Sequence, residues 1–452
     1  MKTMTVAMAC AACGGKLIGC DRAEAPIGRA IIDSRTAQPG DLFAAYRGER
    51  TDGHRYIATA LEKGAVCCLA EYVPEGVTGP VILVEDVQAA LERIAAAYRK
   101  TLDIPVVGIT GSVGKTTAKE MVSAVLSQRY RVLKTEGNLN NQIGVPMTVS
   151  RIEPDHEAAV VEMGISGFGE MTALAKIARP TVALFTVIGR AHLEFLHDLD
   201  GVFRAKTEML DQMAADSPVI YNGDDAQLRR LADRPGALSY GLGEDCAVRA
   251  DEIALLSEGR TRCRIRYGER TVHADVPAFG KQMVYAALEG AAVGFVLGLS
   301  DEEITRGIAA YAPVGRRGDI TDTGFVTLVD DSYNANPESM RCAIDSLLQL
   351  PGRHVAVLGD MLEMGPESEQ MHVDLGRYAR ERGIDRVLCC GGFRDAIVSG
   401  AGEIATACAD TQAIIDVLPA LLKKGDAVLV KASRGMHLEA VAEAIKGMGE
   451  TE

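Results

Sequence analysis

No stretch of this chain reaches the roughly 20 apolar residues that a membrane-spanning helix needs, so no membrane partner is expected. Nor is there an excess of positive charge: 48 Lys and Arg stand against 62 Asp and Glu, a net charge of −14. A nucleic-acid binder usually carries a basic face, so nucleic acid is not an expected partner, and an anionic ligand must meet positive charge concentrated at its own site. Zinc spacing is missing as well. Cys10 and Cys13 form one CxxC with Cys20 nearby, but no second CxxC or HxxxH follows at ligand spacing. The 11 cysteines, an odd number, include the adjacent pairs Cys67–Cys68 and Cys389–Cys390 inside apolar runs. They read as small core residues in a reducing compartment. The opening MKTMTVAMACAACGGKLIG has one early Lys and runs straight into folded-looking sequence, so no secretory leader is expected. Internal repeats and low-complexity tracts are absent. The expectation is a cytoplasmic monomer.

What is present is ordinary globular composition, 47% hydrophobic and 24% charged, in a chain of 452 residues. That length exceeds one hydrophobic core and implies two or three domains. Residues 1–102 alternate short apolar runs with polar turns. AIID (30–33) and GAVCCLA (64–70) read as strands, and AALERIAAAYRKTL (89–102) as a closing helix with Leu91, Ile94 and Tyr98 at helical spacing. Residues 103–313 open on IPVVGI, a β-branched run typical of a buried parallel strand. AAVVEMG (158–164), TVALFTVI (181–188) and SPVIYNG (217–223) are further strands, and QMVYAALEGAAVGFVLG (282–298) is a helix. Residues 314–452 repeat the rhythm with FVTLVDD, HVAVLGD, DRVLCCGG and AVLVKAS. Strands alternating with helices predict an α/β protein of three domains: a small α/β N-terminal domain, a central doubly wound sheet with a phosphate loop, and a C-terminal Rossmann-like domain. The last has no GxGxxG, so no dinucleotide is implied.

The stretch GITGSVGKTTAKEM (108–121) is the clearest chemical signal. The usual phosphate loop is GxxxxGK[ST], which would place its first glycine at Ile109; here the glycines are Gly111 and Gly114, around Ser112 and Val113. The physics survives the shortening. A strand ends, glycines let N–H groups face phosphates, and a helix N-terminus follows. Lys115 can bridge β- and γ-phosphates, and Thr116, followed by Thr117, can hold Mg²⁺. Glu162 ends AAVVE, where ligands of open α/β sheets lie; it is either a metal-holding carboxylate or a salt-bridged strand end. His192 follows TVALFTVI, and Lys206 sits beyond it in an apparent helix beside Glu208. Taken singly, they are equally a loop histidine and a solvated lysine. TEGNLNNQIGVPMT (135–148), with Asn138, Asn140 and Asn141, is a long turn or an amide-lined loop near the phosphates.

Taken together these segments resemble the Mur ligase family, ATP-dependent enzymes that build the peptidoglycan stem peptide. The similarity spans nearly the whole chain: DSRTAQPGDLFAAYRGERTDGH (33–54), TGSVGKTT (110–117), GNLNNQIGVPMT (137–148), AHLE (191–194) with Lys206, DDSYNANPESM (330–340), LGDMLEMGPESEQMH (358–372) and VKASRGM (430–436). DDSYNANP and GDMLEMG belong to the branch that adds D-alanyl-D-alanine. The resemblance implies ATP, two Mg²⁺ ions, UDP-N-acetylmuramoyl-tripeptide and D-alanyl-D-alanine as ligands, and a bond made through an acyl phosphate. It implies that Ser34 and Arg35 hold the uridine nucleotide end and Gly111 to Thr117 hold ATP. Asn138, Asn140 and Asn141 would line the cleft. Glu162 and His192 would bind Mg²⁺, and Lys206 would be carbamoylated to bind a second ion. Asn222 and Asp224, in YNGDD, would contact the nucleotide. Arg317, Asp331, Asn334, Lys431 and Arg434 would close over ATP and D-alanyl-D-alanine, with Asp331 a candidate base for the incoming amine.

Three positions depart from the family pattern. Gln282 and Ala286 stand where the family has a His and an adenine-contacting Asn, and Ala432 replaces the Gly of VKGSR. Two other readings compete. One is a folylpolyglutamate synthase, which shares the loop but not DSRT…GERTDGH or DDSYNANP. The other is a phosphate-loop switch, which has no need of a carbamate-ready lysine.

Overall fold

Short β-branched and apolar runs bounded by Gly, Pro and Asp become the buried strands of three separate sheets. The computed structural model describes residues 1–48, 51–256, 259–315 and 318–449. In the first sheet, β1 (Lys16–Ile18), β2 (Ala30–Ile31), β3 (Leu42–Ala44), β4 (Cys67–Ala70) and β5 (Val81–Leu83) lie in the order β1-β5-β4-β3-β2. All neighbours are parallel except β1 and β5. The helix Val87–Arg99 covers it. Asp86 caps this helix by accepting the Ala89 N–H at 2.9 Å, and Leu91, Ile94 and Tyr98 point into the core at the spacing the sequence predicts. The opening segment is itself a helix, Val6–Cys13, with Val6, Ala9 and Cys13 buried.

The second sheet has nine strands: β6 (Val106–Thr110), β7 (Val132–Lys134), β8 (Ala158–Glu162), β9 (Val182–Phe185), β10 (Val219–Asn222), β11 (Ala237–Gly241), β12 (Val248–Leu256), β13 (Arg260–Tyr267) and β14 (Arg270–Val276). Their order is β14-β13-β12-β11-β10-β9-β6-β8-β7. Neighbours run parallel from β7 to β12, and the chain then turns into an antiparallel meander. In β13 and β14 that meander has no continuous apolar run in the sequence, only alternation. Thr261, Cys263 and Ile265 of β13 and Val272, Ala274 and Val276 of β14 are buried, and arginines fill the outward positions between them on β13. The helices Lys115–Leu126 and Lys281–Val296 share one face of the sheet. Gly290 lets them approach, because a Cβ there would sit 2.9 Å from Met121 Cγ.

The third sheet, β15 (Asp319–Asp322), β16 (Thr327–Asp331), β17 (His354–Leu358), β18 (Arg386–Cys389), β19 (Ala405–Ala407) and β20 (Ala427–Lys431), has the order β15-β16-β20-β17-β18-β19. It is parallel apart from the edge pair β15–β16. One apolar cluster runs from Leu91 and Ile94 through Met163, Leu193 and Leu196 to Met340, Met361 and Met364, so the three sheets share a core. The buried Arg99 strengthens the first junction, donating from Nε to the Ala178 carbonyl at 3.0 Å. All 11 cysteines are free thiols, most of them buried. Among the described residues no helix is long and apolar enough to cross a membrane.

The helix Asp301–Ala309 meets the helix Lys115–Leu126 through Gly307, whose added Cβ would lie 2.4 Å from Val125 Cα. Backbone cannot yield as a flexible side chain can. Gly307→Ala should therefore cost about 1–3 kcal/mol by overpacking, read as a lower midpoint in thermal unfolding.

Candidate active site

Strand β6 lies between β8 and β9, so the connections leaving its carboxyl end and theirs open a crevice, the usual ligand position in such sheets. The loop after β6 is held open by its neighbours. Gly111 has φ of 153°, and a Cβ there would fall 2.0 Å from Thr186 Oγ1, so only glycine fits. Ser112 donates its N–H to the Val187 carbonyl at 2.7 Å and its hydroxyl to the Gly189 carbonyl at 3.0 Å. Thr186 Oγ1 donates to the Val113 carbonyl. Gly114, at φ of 85°, starts the helix Lys115–Leu126 without any side-chain cap, which leaves the first-turn N–H groups facing the crevice. Lys115 folds back, Nζ donating to the Gly111 carbonyl at 2.8 Å.

Oxygen donors converge beside this loop. Thr116 Oγ1 donates to Glu162 Oε2 at 2.9 Å, and Asn140 Nδ2 donates to Glu162 Oε1 at 2.8 Å. Glu162 ends β8 opposite Ile109, which puts it level with the loop. Lys119 Nζ stands 4.0 Å from the same carboxylate and 3.1 Å from Glu120. Asn141 acts locally, its Oδ1 accepting the Gly144 N–H at 2.9 Å at the start of the helix Gly144–Ser150. Asn138 is exposed, and its carbonyl accepts the Asn140 N–H at 2.7 Å.

Across the crevice stand His192 and Lys206. His192 adopts φ of 55° after β9, and Nδ1 lies 2.6 Å from Glu363 Oε2 of the third domain. Burial lowers its pKa; Glu363 opposes this and the Lys206 charge adds to it. Lys206, in the helix Leu199–Thr207, is 1% exposed and has no hydrogen-bond or ion-pair partner among the described residues. Burial first, and then the Lys115 ammonium, push it well below the ordinary lysine range.

The remaining sequence-predicted residues fall on all three domains. Asn222 ends β10, and its Oδ1 accepts the Asp224 N–H at 3.0 Å. Asp224 accepts the N–H groups of Leu242 at 2.6 Å and Gly243 at 3.0 Å, and the Tyr285 hydroxyl at 2.9 Å. Ala286 is buried beside it at 2% exposure. Gln282 reaches the third domain, accepting the Ser346 hydroxyl at 3.1 Å. In that domain Lys431 Nζ binds Asp331 Oδ2 at 2.6 Å and the Asn334 carbonyl at 2.9 Å, and the Arg434 guanidinium lies 5.3 Å from the centre of the Tyr333 ring. Ser34 and Arg35 form a short turn after β2, Arg35 paired with Asp33 at 2.7 Å. Arg317 lies outside the described residues.

Several contacts went unread in the sequence. Asp225 Oδ2 accepts the Ile188 N–H at 2.7 Å and joins the YNGDD turn to the loop after β9. Glu338 accepts the Arg190 N–H at 3.1 Å across the domain junction. For Asp225 the doubled acid of YNGDD was the available signal; Glu338 and Glu363 carry no local one, because their partners are distant in sequence.

Family models match most of the chain. The Mur ligase family, catalytic domain model covers residues 27–99, the Mur ligase middle domain 109–294, and the Mur ligase, glutamate ligase domain 316–434. The chain is 35% identical over 425 residues to a UDP-N-acetylmuramoyl-tripeptide–D-alanyl-D-alanine ligase of Bacillus subtilis, covering 91% of each chain. The crystal structure of MurF from Acinetobacter baumannii superposes with a TM-score of 0.89 at 32% identity, over 98% of both chains. The MurF ligase of Thermotoga maritima in complex with ADP gives 0.84 at 29% identity, over 93% of this chain and 98% of that one.

A side chain at Gly111 would displace Thr186 or the loop. Gly111→Ala should lower ATP turnover by about 100-fold, the scale of an ångström-sized misplacement, and should also lower the midpoint of thermal unfolding, because the added Cβ meets Thr186 at a positive φ; steady-state kinetics and thermal unfolding measure the two effects.

Proposed function

The chain belongs to the Mur ligase family, and from that membership we propose that it joins D-alanyl-D-alanine to UDP-N-acetylmuramoyl-tripeptide at the expense of ATP, giving the pentapeptide precursor, ADP and phosphate. The observation that carries this reading is Lys206, buried without a partner in the field of Lys115. A switch or motor has no use for that arrangement, and a ligase does. A buried amine whose charged form is disfavoured can add to CO₂ and give up a proton to solvent, and the carbamate would answer Lys115 and offer oxygen where nitrogen stood.

The donor set fits Mg²⁺. Thr116 and Glu162 already present hard oxygen atoms to one another. Among the described residues no three His, Cys, Asp or Glu side chains gather into a site of their own, so phosphate oxygens and the Lys206 carbamate would complete the coordination of two ions with Thr116, Glu162 and His192. Bound Mg²⁺ would neutralise charge where phosphate meets carboxylate.

Residues 111–117 would hold the triphosphate by backbone N–H groups and the helix N-terminus, with Lys115 swinging from the Gly111 carbonyl to the β- and γ-phosphates. The tripeptide's terminal carboxylate attacks the γ-phosphorus and ADP leaves. The acyl phosphate gives the carbonyl a good leaving group, the amine of D-alanyl-D-alanine adds to it, and phosphate departs from the tetrahedral intermediate. Lys115 would stabilise the charge built in the first step. Asn138, Asn140 and Asn141 would line the cleft, Asn141 as a fixed turn. Ser34 and Arg35 would hold the uridine nucleotide end. Asn222 and Asp224 would border the nucleotide base, with Tyr285 beside them in place of the family's asparagine contact. Asp331, Asn334, Lys431, Arg434 and Arg317 would complete the cleft from the third domain, Asp331 remaining the candidate base. The working unit would be a cytoplasmic monomer with domain boundaries at 102/103 and 313/314. Folylpolyglutamate synthesis and a nucleotide switch are not favoured, since the matched relatives name the muramoyl substrate over nearly the whole length.

Phosphate release should require both UDP-N-acetylmuramoyl-tripeptide and D-alanyl-D-alanine and match pentapeptide, followed by mass, one for one. Release indifferent to either substrate would overturn the ligase reading. Lys206→Ala should lower turnover by at least about 100-fold, the scale of losing one preorganised charge-stabilising group. Added short-chain carboxylates should restore part of it in steady-state assays, because they return the missing anion.

A further inference from the structure

We propose that Glu363 is a positioning residue for His192, so that docking of the third domain completes a metal site whose ligands all belong to the middle domain. This rests on the reading of His192 as a Mg²⁺ ligand. Glu363 Oε2 lies 2.6 Å from His192 Nδ1. Both ends of this contact lie in the left-handed region, Glu363 at φ of 62° and His192 at φ of 55°, a conformation uncommon for glutamate and less so for histidine. The side chains are 53% and 30% exposed. A contact so accessible adds little stability, less than a left-handed glutamate costs. The strain is therefore kept for placement.

The surroundings fix that placement. Met364, next to Glu363, is buried in the same apolar cluster as Leu193, next to His192. Gly365, at φ of 70°, would bring a Cβ within 3.4 Å of the Glu194 nitrogen, so the loop lies directly on the AHLE segment. The carboxylate is delivered to the imidazole by apolar contacts that form only when the domains meet. With Nδ1 held, the ring orientation is set and Nε2 is the nitrogen left for a metal. Metal-bound histidines commonly have such a carboxylate on the second nitrogen, which also raises ligand basicity. Thr116, Glu162, His192 and Lys206 lie in the middle domain, and the positioning Glu363 lies in the third. Metal binding and domain docking then favour one another by the same factor.

The test uses the full chain with a non-hydrolysable ATP analogue and Mn²⁺, read by electron paramagnetic resonance. Glu363→Ala should weaken Mn²⁺ binding by about 10- to 100-fold, with affinity for the analogue unchanged when metal is withheld. Glu363→Gln, whose amide oxygen still accepts the Nδ1 proton, should recover most of the loss. X-ray scattering should show Mn²⁺ compacting the parent chain more than Glu363→Ala. Native Mn²⁺ affinity in Glu363→Ala overturns the proposal. His192→Ala, run alongside, separates the cases: if it loses Mn²⁺ while Glu363→Ala does not, only the coupling fails; if both keep it, the reading of His192 as a ligand fails too.

Discussion

A lysine buried without an anion is an unusual thing for a fold to retain, and this site is organised around one. Lys206 has lost its water and feels Lys115, so its charged form is penalised twice. Two ordinary remedies are missing: it has no carboxylate partner among the described residues, and it is only 1% exposed. The charge can be answered only by chemistry at the amine itself or by an anionic ligand. Both answers serve one end, since a carbamate next to a triphosphate is a place for hard cations.

The rest of the crevice follows from keeping that corner dry and well defined. Strand β6 sets Lys115 at the head of its helix, β8 sets Glu162 level with it, and the connection after β9 carries His192 and then Lys206. The close approach of Gly111 to Thr186 locks the phosphate loop to the loop after β9, so the two sides of the site move as one body. Among the described residues, the polar contacts that the third domain makes here include Glu338 to the Arg190 N–H, Glu363 to His192, and Ser346 to Gln282. Each bonds a residue beside the loop or at the head of the helix Lys281–Val296. Domain position is therefore felt at the reacting end of the cleft.

Much of this was legible in the sequence because parallel strands buried on both faces are continuous apolar runs. VVGIT, AAVVE and AVLVK could be read directly, and Glu162 and Lys115 are placed by the strand ends that precede them. The helix Val87–Arg99 was legible from Leu91, Ile94 and Tyr98 alone. The antiparallel meander of β12, β13 and β14 was not, since its pattern is alternation among arginines rather than a run. Gln282 reads as a lost ligand in the sequence; in the fold it is a tether to Ser346. Ala286 reads as a missing adenine contact, and the fold sets Tyr285 on Asp224 next to it. The environment of Lys206 was also hidden, because burial is a property of packing between elements and not of the residues flanking the lysine.

Carbon-13 NMR of the chain equilibrated with ¹³C-bicarbonate tests the central claim most directly. The account predicts a carbamate resonance that disappears in Lys206→Arg, together with ligase activity that falls when CO₂ is stripped and returns when bicarbonate is restored. Full activity in CO₂-free buffer with no carbamate resonance would contradict it, and the charge of Lys206 would then have to be met by the bound phosphates alone.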